Sequence, residues 1–75
     1  MTALKGIRVL DFTRVLSGPY CTMTLGDLGA EIIKIENPEG GDDSRTFNIS
    51  KSRPISTYFY AVNRNKRSVT IDFRK

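Results

Sequence analysis

The side chains that could perform chemistry in this sequence are few, and their types exclude most familiar active sites. Ser17-Gly18 superficially resembles a nucleophile elbow, but the sequence has no histidine, so a Ser-His-acid triad cannot form. Cys21 is the single cysteine, which excludes an intramolecular disulfide and a cysteine metal cage, and no metal is expected. We therefore interpret Ser17 as a helix cap, whose hydroxyl accepts a hydrogen bond from a free backbone N–H group.

Charge is divided unevenly along the chain. Through Asp43 the sequence has 4 basic and 7 acidic residues, whereas the remainder has 8 basic residues and Asp72 as its single acid. A basic second half suggests an anionic partner, either the phosphate groups of a cofactor or nucleic acid, although many small domains are basic without one.

Composition indicates a single small globular domain. The chain has 75 residues, of which 39% are hydrophobic and 27% are charged. The longest uncharged stretch, residues 15–26, contains Ser, Thr, Tyr, Gly and Pro, so neither a membrane span nor a membrane partner is expected. The first residues lack the features of a signal peptide, which predicts a cytoplasmic protein, or a mitochondrial matrix protein if the source is eukaryotic.

The elements that must position these groups begin with a strand, a helix and a second strand. Residues 7–13 are rich in branched and aromatic side chains and predict a strand. Residues 31–36 contain the pair Ile32-Ile33, which favours a strand covered on both faces. With a helix over residues 19–28, this order predicts a βαβ unit with a right-handed crossover and parallel strands.

The predicted helix has recognisable ends and one apolar stripe. Cys21, Leu25 and Leu28 fall at i, i+4 and i+7, and Gly29 is available for the left-handed residue that ends a helix. Gly26 should weaken the helix by roughly 1 kcal/mol relative to Ala. Close packing of the helix on the sheet would explain that glycine.

The second half of the chain is less regular. Residues 37–44 are turn formers and acids, which predict a loop. Residues 58–62 fit a short helix or a strand, and we favour the helix. Residues 68–74 alternate apolar and polar side chains and predict a third strand. Because another crossover helix would follow that strand in a doubly wound fold, we interpret the end at Lys75 as a cut within a domain.

Three short segments are candidates for a ligand site. Ligands of open parallel sheets bind in the crevice outside the carboxyl ends of the strands. That rule selects residues 15–17, Asn37 and residues 71–74, which converge on one edge if the strands are parallel neighbours. The first segment leads into a helix N-terminus, which attracts anions, and Arg74 could supply a cationic contact. Neither a G-x-G-x-x-G fingerprint nor a Walker A motif is present.

Five segments of the sequence form a recognisable set. They are VLDFT at residues 9–13, GPYCT at 18–22, LGDLGAEIIKIE at 25–36, GDDSR at 41–45 and NRNKRS at 63–68. This set resembles the opening of family III CoA-transferases. Each segment alone is a weak match. Together they follow the order and spacing of the family and cover nearly the whole chain, so we expect the chain to be an amino-terminal fragment of such an enzyme.

The resemblance implies an α/β fold, with residues 1–75 as the partial, truncated coenzyme A-binding domain of Rossmann-like type. It implies an enzyme of two interlocked subunits that moves coenzyme A between an acyl-CoA and a carboxylic acid through an aspartyl intermediate. In the family the catalytic Asp lies far downstream, so no catalytic residue is expected in this chain. Asp11 and Asp27 belong to fold motifs, and Asp42-Asp43 belongs to a loop.

The resemblance also assigns coenzyme A contacts. These are Leu16, Ser17, Asn37, Ile71, Asp72, Phe73 and Arg74. Leu16 and Ser17 match the active-site loop, and the last four residues match a strand end beside the adenosine. Some members have Gln at the Leu16 position and Arg at the Asn37 position, and Asn lacks the charge with which Arg holds phosphate. The acyl partner is therefore left open.

Three other interpretations remain open at the level of sequence. The same fold serves 2-methylacyl-CoA racemases, and the chain could be a non-catalytic fragment. A remote alternative is a nucleic-acid-binding module, in which the basic run at residues 64–67 and the aromatic run at residues 58–60 would contact a single strand. The same residues are explained if the basic run is the solvent-exposed start of a strand and the aromatic side chains belong to the core, so no nucleic-acid partner is expected.

Overall fold

Among the residues that the structure describes, three parallel strands form a sheet in the order β1-β2-β3. The computed structural model describes residues 3–72. The strands are β1 (Arg8–Asp11), β2 (Glu31–Glu36) and β3 (Lys66–Thr70). The helices are α1 (Ser17–Asp27), a 3-10 helix (Asp43–Thr46) and α2 (Thr57–Ala61). The predicted βαβ unit with parallel strands is confirmed, as is the short helix near residues 58–62.

The register places polar side chains in the middle of the sheet. Asp11 of β1 lies opposite Lys34 of β2, and Lys34 lies opposite Ser68 of β3. These residues share the sheet face on which α1 packs, because side chains alternate along each strand. The face therefore combines apolar contacts with buried charges.

The first helix begins at Ser17, two residues before the predicted start at residue 19, and Ser17 does not cap it. Leu16 occupies the capping position without a side-chain hydrogen bond, and Ser17 is the first helical residue. The predicted stripe of Cys21, Leu25 and Leu28 is also wrong, since Cys21 is exposed. The helix buries Pro19, Thr22 and Met23 instead.

A hydrogen bond explains which face of α1 is buried. The Thr22 hydroxyl donates to Oδ2 of Asp11 at 2.7 Å, so a polar residue faces the sheet where the pattern predicted an apolar one. Gly26 also faces the sheet, where an added Cβ would lie 3.2 Å from the Ile32 side chain and 3.3 Å from Cβ of Asn65. The close packing expected at Gly26 is confirmed.

The end of α1 matches the prediction from sequence. Gly29 has a φ of 107° and follows the last turn of the helix. The N–H of Ala30 donates to the carbonyl of Leu25, and the N–H of Gly29 donates to the carbonyl of Gly26. This pair of bonds is the Schellman arrangement, which requires a residue that adopts a positive φ without cost.

The third strand begins two residues earlier than predicted and ends at Thr70. It begins at Lys66 because the backbone there pairs with Ile32, although the Lys side chain broke the apolar alternation from which the strand was predicted. The loop predicted over residues 37–44 gives way to the 3-10 helix at Asp43.

The apolar core of the described residues is small. Its buried members are Met23, Ala30, Ile32, Ile35, Phe59 and Val62. On the sheet face opposite α1, Ile35 is buried and Ile33 is half-buried, but Leu10 and Val69 are exposed, so the prediction of a β2 covered on both faces is only partly met. Among residues 3–72, no helix is long and apolar enough to cross a membrane.

Candidate functional site

A cavity of about 330 Å³ opens at the carboxyl ends of β1 and β2. It is lined by Phe12, Thr13, Arg14, Lys34, Ile35, Glu36, Asn37, Gly41 and Asp42. These residues come from the β1–α1 loop, the end of β2 and the connection that follows β2. The cavity therefore lies at the sheet edge where the topology of a parallel α/β sheet places its ligands.

Among the predicted site residues, Asn37 lines this cavity directly. Its side-chain oxygen accepts a hydrogen bond from the N–H of Glu39 at 2.8 Å, and its backbone carbonyl accepts one from Gly41 at 2.9 Å. The local turn thus fixes the orientation of the carboxamide beside the cavity.

The other predicted contacts that the structure describes surround the same edge without lining the cavity. Leu16 and Ser17 are exposed at the start of α1, directly after the β1–α1 loop. Ile71 and Asp72 follow β3, and the Ile71 N–H donates to the Glu36 carbonyl at 3.0 Å. The predictions at Phe73 and Arg74 fall outside the described residues.

Strained backbone marks the β1–α1 loop. Val15 has a φ of 75°, and a β-branched residue in this left-handed region costs about 1–3 kcal/mol. The loop also turns tightly, since a Cβ added at Gly18 would clash with the Thr13 side chain. Its conformation must therefore be held by contacts from elsewhere in the protein.

Two carboxylates that line the cavity are engaged in ion pairs. Glu36 accepts from Nε of Arg45 at 2.8 Å and from the second guanidinium nitrogen at 2.7 Å, and it also accepts from the Ser68 hydroxyl. The Asp42 carboxylate lies 2.9 Å from Nζ of Lys34, and both of these side chains are at most 1% exposed.

The ionisation of these carboxylates follows from their partners. Burial by itself would raise the pKa of Glu36, but hydrogen bonds from Arg45 and Ser68 lower it to about 2. Burial likewise opposes ionisation of Asp42, and hydrogen bonds from Lys34, Ser44 and Val15 lower its pKa to about 2. Both groups are charged at neutral pH and are neutralised by cations, so neither is poised to accept or release a proton there.

A second buried ion pair lies under α1. Nζ of Lys66 is 3.1 Å from Oδ2 of Asp11 and donates to the Pro19 carbonyl at 3.0 Å and to Oδ1 of Asn63 at 2.7 Å. Asp11 also accepts from Thr22. This arrangement supports the interpretation of Asp11 as a residue of the fold, because its carboxylate is buried and surrounded by donors.

Sequence reasoning missed the role of Lys34 and Lys66. One feature could have identified Lys34: it interrupts the apolar run of β2, and a Lys within a covered strand is almost never buried without a partner. Lys66 had no comparable sign, because it lies in a run of polar and basic residues.

Part of the basic run at residues 64–67 is engaged in contacts within the protein. Lys66 is buried as described above, and Arg64 donates to Oδ2 of Asp27 at 2.7 Å. In the aromatic run, Phe59 is buried and lies 4.0 Å beneath the guanidinium of Arg45. These contacts engage Arg64, Lys66 and Phe59, whereas Arg67 and Tyr60 are exposed. Within residues 3–72, no cluster of three potential His, Cys, Asp or Glu ligands could hold a metal ion.

The fold and the cavity define a Rossmann-like α/β unit with a cavity at the carboxyl ends of its strands. Comparison with known families assigns the unit more closely. The family described as CoA-transferase family III matches residues 4–75, and the chain belongs to this family.

Relatives of this chain carry CoA-transferase names. It is 53% identical over 74 residues to a succinyl-CoA:glutarate CoA-transferase of Mus musculus, covering 99% of this chain and 17% of the mouse protein. It is 50% identical over 70 residues to a formyl-CoA:oxalate CoA-transferase of Rhodopseudomonas palustris, covering 93% of this chain and 16% of that protein. The chain thus spans about a sixth of the length of these relatives.

A solved structure confirms the fold assignment. The crystal structure of a CAIB/BAIF family protein from Brucella suis superposes with a TM-score of 0.87 at 46% identity. The superposition covers 99% of this chain and 20% of that chain. The expected α/β fold of this family is therefore confirmed for the segment that we describe.

Proposed function

We propose that this chain supplies part of the coenzyme A site of an enzyme that moves coenzyme A between an acyl-CoA and a carboxylic acid. The observation that carries the proposal is the cavity at the carboxyl ends of β1 and β2, lined by Asn37, in a chain of CoA-transferase family III. The relatives are named for different acid pairs, so the proposal leaves the acyl groups open.

The catalytic carboxylate is proposed to lie outside this chain. A carboxylate nucleophile must be accessible and unpaired, whereas Glu36 and Asp42, which line the cavity, are held by Arg45 and Lys34. An Asp from elsewhere would attack the acyl carbon and expel the coenzyme A thiolate. The thiolate would then attack the aspartyl carbonyl and release the donor acid, and the reverse sequence with the acceptor acid would complete the exchange.

The remaining expectations belong to the same proposal. Residues 1–75 would form a partial coenzyme A-binding domain, and two full-length subunits would interlock. The exposed apolar side chains of Leu10 and Val69 on the uncovered sheet face support further packing of protein on this unit. The contacts assigned to Leu16, Ser17, Asn37, Ile71, Asp72, Phe73 and Arg74 are carried forward as proposed contacts.

Titration of the chain with coenzyme A tests the site. We expect saturable binding by calorimetry, and Arg74→Ala should weaken it about tenfold if the guanidinium contacts a phosphate, since hydrogen bonds to charged groups contribute about 1.5–3 kcal/mol. Dephospho-coenzyme A lacks the 3′-phosphate, so its affinity should be unchanged by Arg74→Ala if Arg74 binds that group. Arg53→Ala is the matched control, because Arg53 is an exposed cation outside the cavity lining.

The titration can contradict the proposal in two ways. A chain that is folded by circular dichroism and binds no coenzyme A would refute the assigned contacts. An equal loss in Arg74→Ala and Arg53→Ala would indicate unspecific attraction to a basic chain.

A chimera tests the activity itself. This chain would replace the matched segment of the mouse relative, and exchange of coenzyme A between succinyl-CoA and glutarate would be assayed. Exchange by the folded chimera would support a competent coenzyme A-transferase segment, and its absence would count against the proposal.

A further inference from the structure

We propose that Asp42, paired with Lys34, is a positioning residue that holds the β1–α1 loop in the conformation that presents Leu16 and Ser17 to coenzyme A. This inference rests on the proposed function, because Leu16 and Ser17 are proposed contacts. It assigns a role to a buried ion pair that borders the cavity.

The first step is that the strained backbone of the loop must be held by contacts from another part of the chain. We call the Asp42–Lys34 ion pair, which makes these contacts, the clamp. Val15 adopts a φ of 75°, which a β-branched side chain rarely adopts. Leu16 and Ser17 follow immediately, so the backbone at Val15 sets the direction in which the start of α1 leaves the loop. Relaxation of Val15 to an ordinary φ would move both residues relative to the cavity.

The second step is that Asp42 binds the strained residue. The Val15 N–H donates to the Asp42 carboxylate, with nitrogen–oxygen distances of 3.2 Å and 3.4 Å. Lys34 donates to the Thr13 carbonyl at 3.0 Å, on the other side of Arg14. The ion pair thus contacts the loop backbone at two points separated by a single residue.

The third step is that the clamp is itself rigidly held. The Asp42 carboxylate accepts from the Ser44 N–H at 2.9 Å and from the Ser44 hydroxyl at 2.8 Å. The Asp42 N–H donates to Oε1 of Glu36 at 2.9 Å. Glu36 in turn is fixed by Arg45 through two hydrogen bonds. The loop is therefore anchored to β2 and to the 3-10 helix through groups with satisfied partners.

The fourth step is that the clamp adjoins the proposed site. Asp42 and Lys34 line the cavity together with Thr13, Arg14 and Asn37. Asp42 is ionised but neutralised by Lys34, so it adds no net charge that would repel a phosphorylated ligand. Its contribution is geometric: it fixes backbone that a ligand at this edge would meet.

The test compares Asp42→Ala with Asp43→Ala. Asp43 is the adjacent acid, is exposed and lies 4.0 Å from Arg14, so its substitution controls for the loss of a negative charge in this segment. Coenzyme A affinity is measured by calorimetry, and the exchange of the Val15, Leu16 and Ser17 amide hydrogens is measured by NMR. We expect Asp42→Ala to weaken coenzyme A binding about tenfold and to speed exchange in the loop, with sheet amides and Asp43→Ala unchanged.

A rescue experiment separates positioning from a purely structural effect. Val15→Gly, added to Asp42→Ala, allows a positive φ without strain, so part of the lost affinity should return. If Asp42→Ala does not fold, Lys34→Met/Asp42→Ala replaces it, because that variant leaves no unpaired buried charge.

Distinct results address the two proposals. Unchanged affinity and unchanged loop exchange in a folded Asp42 variant would overturn the clamp while the proposed site stands. Faster loop exchange with unchanged affinity would also overturn the positioning role. If the folded parent chain binds no coenzyme A, the proposed site fails, and with it the positioning role, while the exchange comparison still decides whether Asp42 holds the loop.

Discussion

Substitution of Lys66 by Met should destabilise this protein severely, although Lys66 lies in a run of basic residues that resembles a solvated surface. Its side chain is 2% exposed and its amine neutralises Asp11, whose carboxylate is fully buried. Met has a similar length and keeps the apolar stem, but it leaves the Asp11 charge without its cation. The variant therefore isolates the ion pair from side-chain packing.

The magnitude follows from the burial of both groups. Removal of one partner of a buried pair costs about 3–5 kcal/mol. Domains of this size are stable by about 4–11 kcal/mol, so the substitution would consume a large part of the total. The melting temperature should fall by about 12–40 °C, since each kcal/mol shifts it by about 4–8 °C in a domain of this size.

The assay is urea and thermal unfolding followed by circular dichroism, with Arg67→Met as the matched control. Arg67 is the next residue, and its side chain is 81% exposed, so its loss should change the free energy of unfolding by less than about 0.5 kcal/mol. The double variant Lys66→Met/Asp11→Asn should regain part of the loss, because no buried charge remains. Similar stabilities for Lys66→Met and Arg67→Met would refute the buried pair.

Two further predictions concern the helix caps and acid stability. Ser56→Ala should lower the free energy of unfolding by about 1 kcal/mol, because it removes the hydroxyl that accepts from the Phe59 N–H at 3.3 Å. Ser17→Ala removes no cap and should lower it by less than about 0.5 kcal/mol. Equal losses for the two variants in chemical denaturation would contradict this assignment. Because the pKa values of Glu36 and Asp42 are lowered to about 2 from ordinary values of 4.5 and 3.8, their stabilisation is complete above those ordinary values and is lost as the pH falls towards 2. Unfolding free energies measured from pH 5 to pH 2 should therefore decline, and Glu36→Gln should make the decline shallower; a parent and a variant with the same slope would show that Glu36 does not contribute.

Local features of the sequence predicted the elements and their order. The branched segments around Val9 and Ile32 indicated strands, and Gly29 indicated the end of α1. Such features act through backbone preferences and through residues close in sequence, which a single chain displays directly. The sheet edge at which the cavity opens followed from the parallel order alone, and Asn37, which was selected by the same rule, lines the cavity.

The tertiary structure decided which polar residues are buried and what they hold. Ser17 has the composition of a cap but no cap contact, and the face of α1 was set by the Thr22–Asp11 hydrogen bond between residues far apart in sequence. Lys34 of β2 pairs with Asp42 of the connection that follows the strand. Asp42 also accepts a hydrogen bond from the N–H of Val15, which lies 27 residues before it. The sequence by itself determined the family, the βαβ order and the sheet edge at which the cavity opens, because these depend on local pattern and chain topology. Only the folded chain determined the buried ion pairs, because a charge can be buried only where a partner distant in sequence is brought within contact.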